Sequence, residues 1–316
     1  MFQTFCKLFG FLFLTVITPV HAQSETSATT YSLPLGIGAL TLEGQCGSGF
    51  EVFRVKEYQD ETILDLSRQY VEKHSVSSVQ LRWRSASAFD GQLTSLGYRH
   101  FDLAGRSWCS GTLVGTHYIL TAGHCLQPFE GRFPTKPPVL VPLRPKSGKI
   151  VPANAETLAT LLEVHFGFLE GEDGADVFKI KNIVDLKLEN GLDYSVLEIV
   201  PNARTMQILK EKYESAEVSV KGVSVGDPLL MFQHPGGEPL KVAGGTVGSK
   251  KNGIVFYSDL DTLPGSSGAA IRNKKGQIVG VHSSGNCLRG GPGNYATGIS
   301  DILERSDFIS SLSNKD

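Results

Sequence analysis

The chain has 316 residues, 41% of them hydrophobic and 20% charged, the balance of an ordinary globular protein and enough for one large or two small domains. Its 30 Lys and Arg stand against 32 Asp and Glu. A net charge so near zero offers no electrostatic basis for gripping nucleic acid or an anionic membrane surface.

Residues 1–22 have the pattern of an export signal. Lys7 is their lone charged side chain, an apolar run from Leu8 to Ile17 follows, and Val20-His21-Ala22 offers small residues where a signal peptidase reads. The run is shorter than the roughly 20 apolar residues that span a bilayer. No later segment is long and apolar enough, so no membrane span is expected. The pattern predicts a secreted or periplasmic protein. Cys6 falls within the signal, which leaves Cys46, Cys109, Cys125 and Cys287. Four cysteines suit two disulfides in an oxidising compartment, with three pairings open. No CxxC pair, HExxH or Cys/His cluster with zinc spacing occurs, so neither a metal nor another cofactor is expected.

Residues 23–77 read as an N-terminal extension or pro-region. They open with the polar run Gln23 to Thr30, and Ile63, Leu66 and Tyr70 recur at helical spacing within 62–71. Removal on maturation and packing on the main domain are both open readings. From residue 78 the chain turns to short β-type runs broken by Gly and Pro, at 78–83, 111–114, 117–121, 194–200 and 277–282. Such patterning predicts an all-β barrel or sandwich. Seven prolines between Pro128 and Pro152 predict a surface loop over 126–154 rather than a central strand. The end predicts a helix capped by Ser300, with Asp301 in its first turn and Ile302, Leu303, Ile309 and Leu312 on one apolar face.

Attack on an amide needs an activated nucleophile, a base for its proton, and donors for the oxyanion. Three segments carry those residue types. In 107–125 an apolar hairpin ends on small residues and presents His124 beside Cys125. In 191–198 Asp193 stands just before an alternating strand. In 261–270 glycines frame Ser267, leaving the backbone free to aim N–H groups at a carbonyl oxygen.

In that order the segments resemble the His, Asp and Ser motifs of chymotrypsin-like serine peptidases, and in particular the bacterial branch of glutamyl endopeptidases and exfoliative toxins. Thr262-Leu263-Pro264-Gly265-Ser266-Ser267-Gly268 is similar to that branch's T-x-P-G-x-S-G pattern. Phe232-Gln233-His234-Pro235-Gly236-Gly237 resembles its Q-H-P-x-G stretch, and Gly280-Val281-His282-Ser283-Ser284 its G-[IV]-H strand. The likeness covers about 100–303, most of the chain. It implies an all-β fold of two six-stranded antiparallel β-barrels with a C-terminal helix. The peptidase domain would be 78–316, with the active site between the barrels.

The resemblance implies Ser267 as nucleophile, His124 as general base, Asp193 as the group that orients it, and the N–H groups of Gly265 and Ser267 as oxyanion donors. The substrate would be a protein or peptide, cleaved through an acyl-enzyme. Ser266 competes with Ser267, but the family's nucleophile directly precedes a glycine. Asp173, Asp176 and Asp185 compete with Asp193, which has the aspartate–aromatic–small–aliphatic–Leu context. The order His, Asp, Ser separates the chain from α/β-hydrolases, which run Ser, Asp, His. Cys109 and Cys125 match the family's bridge beside the histidine, and a Cys46–Cys287 bridge resembles one in the bacterial lysyl endopeptidases.

The pattern departs from the animal trypsin-like enzymes. Ser266 occupies the place of their aspartate that pairs with a new N-terminus, and no Ile-Val-Gly-Gly start is present. Activation by that ion pair is therefore not expected. Asp261, six residues before Ser267, matches the acid that selects Arg or Lys. His282, fifteen after, and Thr262, five before, match the histidine and hydroxyl that hold a Glu side chain. Two matches favour a Glu before the cut and one favours a basic residue. Two other readings stand beside these: a toxin-like peptidase of narrow choice using 126–154 as an exosite, and an inactive homologue serving as a binding module. The latter needs a lost triad residue, and all three are present. The sequence carries no signal for an oligomeric state.

Overall fold

A computed structural model describes residues 44–46, 51–85, 91–93, 104–126, 141–145, 151–171, 174–285, 287 and 293–313. The expected signal, the polar run after it, and 127–140 and 146–150 of the proline-rich segment lie outside the described residues.

The chain order opens with β1 (Phe53–Arg54), α1 (Arg68–Ser75), β2 (Ser78–Trp83), β3 (Gly91–Leu93), β4 (Ser107–Val114) and β5 (Tyr118–Thr121). Next come β6 (Val141–Pro145), β7 (Val151–Ala153), α2 (Ala155–Leu161), β8 (Leu162–Phe166), β9 (Asp176–Glu189) and β10 (Leu192–Ile199). Helix α3 (Ala203–Lys212) leads to β11 (Pro228–Gln233), β12 (Lys241–Thr246), β13 (Ser249–Lys251), β14 (Ile254–Tyr257), β15 (Ala270–Arg272), β16 (Ile278–Ser284) and β17 (Asn294–Gly298). Two short helices close the chain, α4 (Ile299–Arg305) and α5 (Asp307–Ser313).

Six antiparallel strands in the order β10-β5-β4-β2-β8-β9 close a barrel. Alternating positions supply its filling, as in β8, where Leu162, Val164 and Phe166 are fully buried and Glu163 and His165 are not. The β9–β10 hairpin turns on Asn190-Gly191, both at positive φ (51° and 85°). That is the two-residue turn whose twist matches the strands it joins, and it delivers Asp193 two residues later.

A second, curled sheet runs β1-β12-β11-β15-β16-β17-β14-β13, antiparallel throughout. Six of its strands, β12 to β14, answer to the second expected barrel. Its hydrogen bonding does not close, because β1 pairs on β12 and β13 pairs on β14, occupying the two edges that closure would join.

Three sequence expectations are corrected. The segment 126–154 is not loop throughout: β6 and β7 pair with each other and with β3 in a separate sheet. Pro142 fits there because only Leu143, Arg144 and Pro145 of β6 face β3, so its missing N–H breaks no bond on that side. The helix expected over 62–71 begins at Arg68, where Ser67 Oγ caps it by accepting from the Tyr70 N–H at 3.1 Å. The upstream part is a turn folded around the Tyr58 hydroxyl, which donates toward the Leu66 carbonyl at 3.1 Å and accepts from the Ile63 N–H at 2.9 Å. The C-terminal helix is two helices, and Gly298, not Ser300, sits at the cap. Ser306 breaks them in extended backbone (φ −125°, ψ 102°) and accepts from the Ile309 N–H at 3.2 Å.

The described part of the extension packs on the second sheet. Val55, Tyr58, Ile63, Leu66 and Val71 share one buried cluster with Leu230, Phe232, Leu240 and Val242. Full burial of such side chains contributes about 1.5–3 kcal/mol each relative to exposure.

Candidate active site

His124 sits on one 3-10 turn, Gly123–Cys125, directly after β5. Cys125 is bridged to Cys109 of β4, with Cα atoms 6.3 Å apart. Trp108 Nε1 donates to the Cys125 carbonyl at 2.7 Å, so the turn is tied to its neighbouring strand twice. Asp193 is the second residue of β10, and its N–H donates to Thr297 Oγ1 of β17 at 3.0 Å. That bond links the barrel to the second sheet at the site itself.

The two carboxylate oxygens of Asp193 divide the work of holding the histidine. Oδ1 accepts from the His124 backbone N–H at 2.9 Å, and Oδ2 lies 2.7 Å from Nδ1. On the other side of the ring, Nε2 lies 2.9 Å from Ser267 Oγ. With a carboxylate on Nδ1, the neutral ring carries its proton there and leaves Nε2 as an acceptor for the serine hydroxyl. His124, Asp193 and Ser267 are only 7%, 3% and 3% exposed. Shielding from water strengthens each electrostatic contact along the chain.

Ser267 stands in the loop between β14 and β15. Gly268 must follow it: at φ 86°, a Cβ there would come within 2.1 Å of Thr121 Oγ1 and 2.4 Å of the Ser110 carbonyl. Ser266, the competing serine, turns its Oγ back to accept from the Leu263 N–H at 3.2 Å. The grouping of Cys109, His124 and Cys125 would bring three metal-ligand atoms together. The two sulfurs are joined to each other, so it offers no thiolate.

The residues singled out for specificity differ in their surroundings. Asp261 is 2% exposed, and its carboxylate is turned onto the N-terminal segment. Oδ1 accepts from the Cys46 N–H at 2.6 Å and Oδ2 from the Glu51 N–H at 2.7 Å. Burial raises its pKa, against those two bonds. Both oxygens are thus engaged by backbone of a segment that the Cys46–Cys287 disulfide also ties down. Asn294 Nδ2 fastens the same segment, donating to the Gly44 and Leu260 carbonyls at 2.9 Å each. Thr262 is fully buried, and its Oγ1 has no hydrogen-bond partner among the described residues. His282 is fully buried on β16, with the Tyr257 hydroxyl against Nδ1. Burial, with His124 nearby, pushes its pKa down to about 3, while a hydrogen bond with the Tyr295 backbone acts in the other direction. The ring is neutral at ordinary pH.

Four further residues hold the site together, and of these only His234 is named in a motif read from the sequence. Thr297 and Tyr257 hold Asp193 and His282. Ser110 reaches the Ser267 loop from β4, donating from Oγ to the Gly265 carbonyl at 2.8 Å. His234 supports the loop structurally: its Nδ1–H donates to the Glu238 carbonyl at 2.9 Å, its ring stacks on Phe168, and burial lowers its pKa to about 4. The Q-H-P-x-G likeness was the available signal for His234; serine and threonine in strands carry none.

Exfoliative toxin A of Staphylococcus aureus is 24% identical over 207 residues, which cover 64% of this chain and 65% of the toxin. The chain thus matches less than two thirds of that relative's length. Among solved structures, a Glu endopeptidase is 17% identical over 76% of this chain and 92% of its own, with a TM-score of 0.49. A serine endoprotease from Yersinia pestis is 14% identical over 78% of this chain and 66% of its own, with a TM-score of 0.46. Residues 109–281, more than half of the chain and spanning His124, Asp193 and Ser267, match the trypsin-like peptidase domain, and the chain belongs to that family.

Proposed function

We propose that the chain is a serine endopeptidase that cleaves protein or peptide substrates through an acyl-enzyme. The observation that carries this reading is the unbroken chain of hydrogen bonds from Asp193 through His124 to Ser267, at 2.7 and 2.9 Å. Ser267 Oγ attacks the scissile carbonyl as His124 Nε2 takes its proton. Asp193 steadies the imidazolium, and the N–H groups of Gly265 and Ser267 receive the oxyanion. His124 then returns the proton to the leaving amine, and water, activated in the same way, hydrolyses the ester.

The preferred residue before the cut is Glu, held by Thr262 and His282. A buried carboxylate needs donors. The Thr262 hydroxyl, without a hydrogen-bond partner among the described residues, can donate, and the negative charge would offset the burial that keeps His282 neutral, raising its pKa toward the protonated form. A basic residue is disfavoured because both oxygens of Asp261 are already engaged by backbone N–H groups. Residues 1–22 act as the export signal, and two disulfides suit a secreted or periplasmic protein. Residues 78–316 form the peptidase domain. The packing of 51–77 on the second sheet favours retention of that part of the extension in the working protein.

The test is a matched panel of peptides with Glu, Asp, Lys, Arg or Phe before the cut, offered to wild type, Ser267→Ala and His282→Ala. The Glu peptide should be cleaved fastest, Ser267→Ala should cleave none, and His282→Ala should lose the preference. Preferred cleavage after Lys or Arg, or an unchanged profile in His282→Ala, would overturn the specificity. Absence of any hydrolysis by wild type would favour the binding module.

A further inference from the structure

We infer that Ser110 is a positioning residue for the oxyanion site, its buried hydroxyl bracing both the Gly265 carbonyl and the His234 turn that holds the Pro264–Gly265 peptide, whose N–H is the Gly265 donor; this rests on the serine-peptidase reading above. Ser266 N–H donates to Leu263 O at 2.9 Å, Gly236 N–H to Pro264 O at 2.8 Å, and Ala269 N–H to Ser266 O at 3.0 Å. The other two carbonyls are both held by Ser110: its Oγ donates to Gly265 O and its N–H to Ser267 O, each at 2.8 Å. All five carbonyls from 263 to 267 therefore have donors.

The loop contains no cis peptide, and in a trans peptide the N–H points opposite the C=O. Pro264 O is turned to Gly236 and Ser266 O to Ala269, so the N–H groups of Gly265 and Ser267 face the other way. The occupied carbonyls thus fix the direction of the two N–H groups assigned to the oxyanion.

Ser110 is 1% exposed and links both sides of this arrangement. Its Oγ also accepts from the His234 N–H at 3.0 Å. His234 begins the turn whose Gly236 N–H holds the Pro264 carbonyl. The Ser110 carbonyl in turn accepts from Thr121 Oγ1 at 2.8 Å, which anchors the residue to the strand leading to His124. Alanine would keep both backbone bonds and lose only the hydroxyl. Gly265 O and His234 N–H would then each lack a partner, which loosens the turn that holds the Pro264 carbonyl and, with it, the peptide that carries the Gly265 N–H.

The experiment compares wild type, Ser110→Ala and Ser110→Gly at a temperature where circular dichroism shows each folded; the glycine variant serves if alanine fails to fold. It reads the rate at which a fluorophosphonate labels Ser267, together with kcat and KM on the fastest peptide of the panel. Loss of an oxyanion donor outright costs about 10²–10³ in rate, and misorientation of one should cost about 10-fold in kcat and in labelling, with KM within about twofold. A merely structural role would lower the melting temperature and leave both rates unchanged in the folded protein, and that result overturns the inference alone. A wild type that is not labelled at Ser267 overturns the peptidase reading, and this inference with it.

Discussion

Asp261→Ala separates a scaffold role for this acid from a specificity role. In the structure its carboxylate accepts from the Cys46 and Glu51 N–H groups. Cys46 is buried, so its N–H, once orphaned, carries the full desolvation penalty of about 1–3 kcal/mol. Glu51 is exposed, so water replaces much of its lost bond and it adds about 1 kcal/mol at most. The sum is about 1–4 kcal/mol. In a chain of this size each kcal/mol moves the melting temperature by about 2–4 °C, so a fall of about 2–16 °C is expected. Asp261→Asn keeps one acceptor oxygen and should lose about half as much. The assay is thermal unfolding of both variants beside wild type, with the peptide panel run on the same preparations. The expected result is a destabilised protein whose ratio of Glu to Lys cleavage is unchanged. An unchanged melting temperature with altered cleavage after Lys or Arg would refute the reasoning.

Acid should destabilise the fold through His234 and His282, whose pKa values burial lowers to about 4 and about 3. As pH falls below about 6.5 the unfolded chain takes up protons that the folded chain refuses, so stability is full above that value and is lost by about 1.4 kcal/mol per pH unit for each histidine. Urea midpoints from pH 7 to 4 should show this, and His234→Gln should flatten the slope by about half; an unaltered slope would count against it. Thr297→Val removes the acceptor of the Asp193 N–H and should lower stability by about 1–3 kcal/mol and kcat with it, checked by unfolding and kinetics together. Gly268→Ala places a Cβ against Thr121 Oγ1 and the Ser110 carbonyl at a positive φ, so it should abolish hydrolysis even where soluble protein is recovered. Full activity in that variant would contradict the packing of the Ser267 loop.

Much of the fold was legible in the sequence because strand patterning is local. The runs at 78–83, 117–121, 194–200 and 277–282 fall on β2, β5, β10 and β16 with shifts of one or two residues. His124, Asp193 and Ser267, each named from a short motif, are brought together in one hydrogen-bonded chain. What escaped reading depends on partners far away in sequence. Asp261 looked like a pocket acid, and its orientation is decided by backbone more than 200 residues earlier. The open second sheet goes with β1 and β13 on its two edges, strands of two and three residues that carry no recognisable pattern. The break between α4 and α5 turns on Ser306, one of five serines between 300 and 313, any of which could cap a helix.

The central claim is that Ser267 is the nucleophile and His124 its base. Labelling the folded protein with a fluorophosphonate, then mapping the adduct by peptide mass spectrometry in wild type and His124→Ala, tests it most directly. One adduct on Ser267, nearly absent in His124→Ala, is the predicted result. An adduct on Ser266 or another serine, or equal labelling without His124, would contradict it.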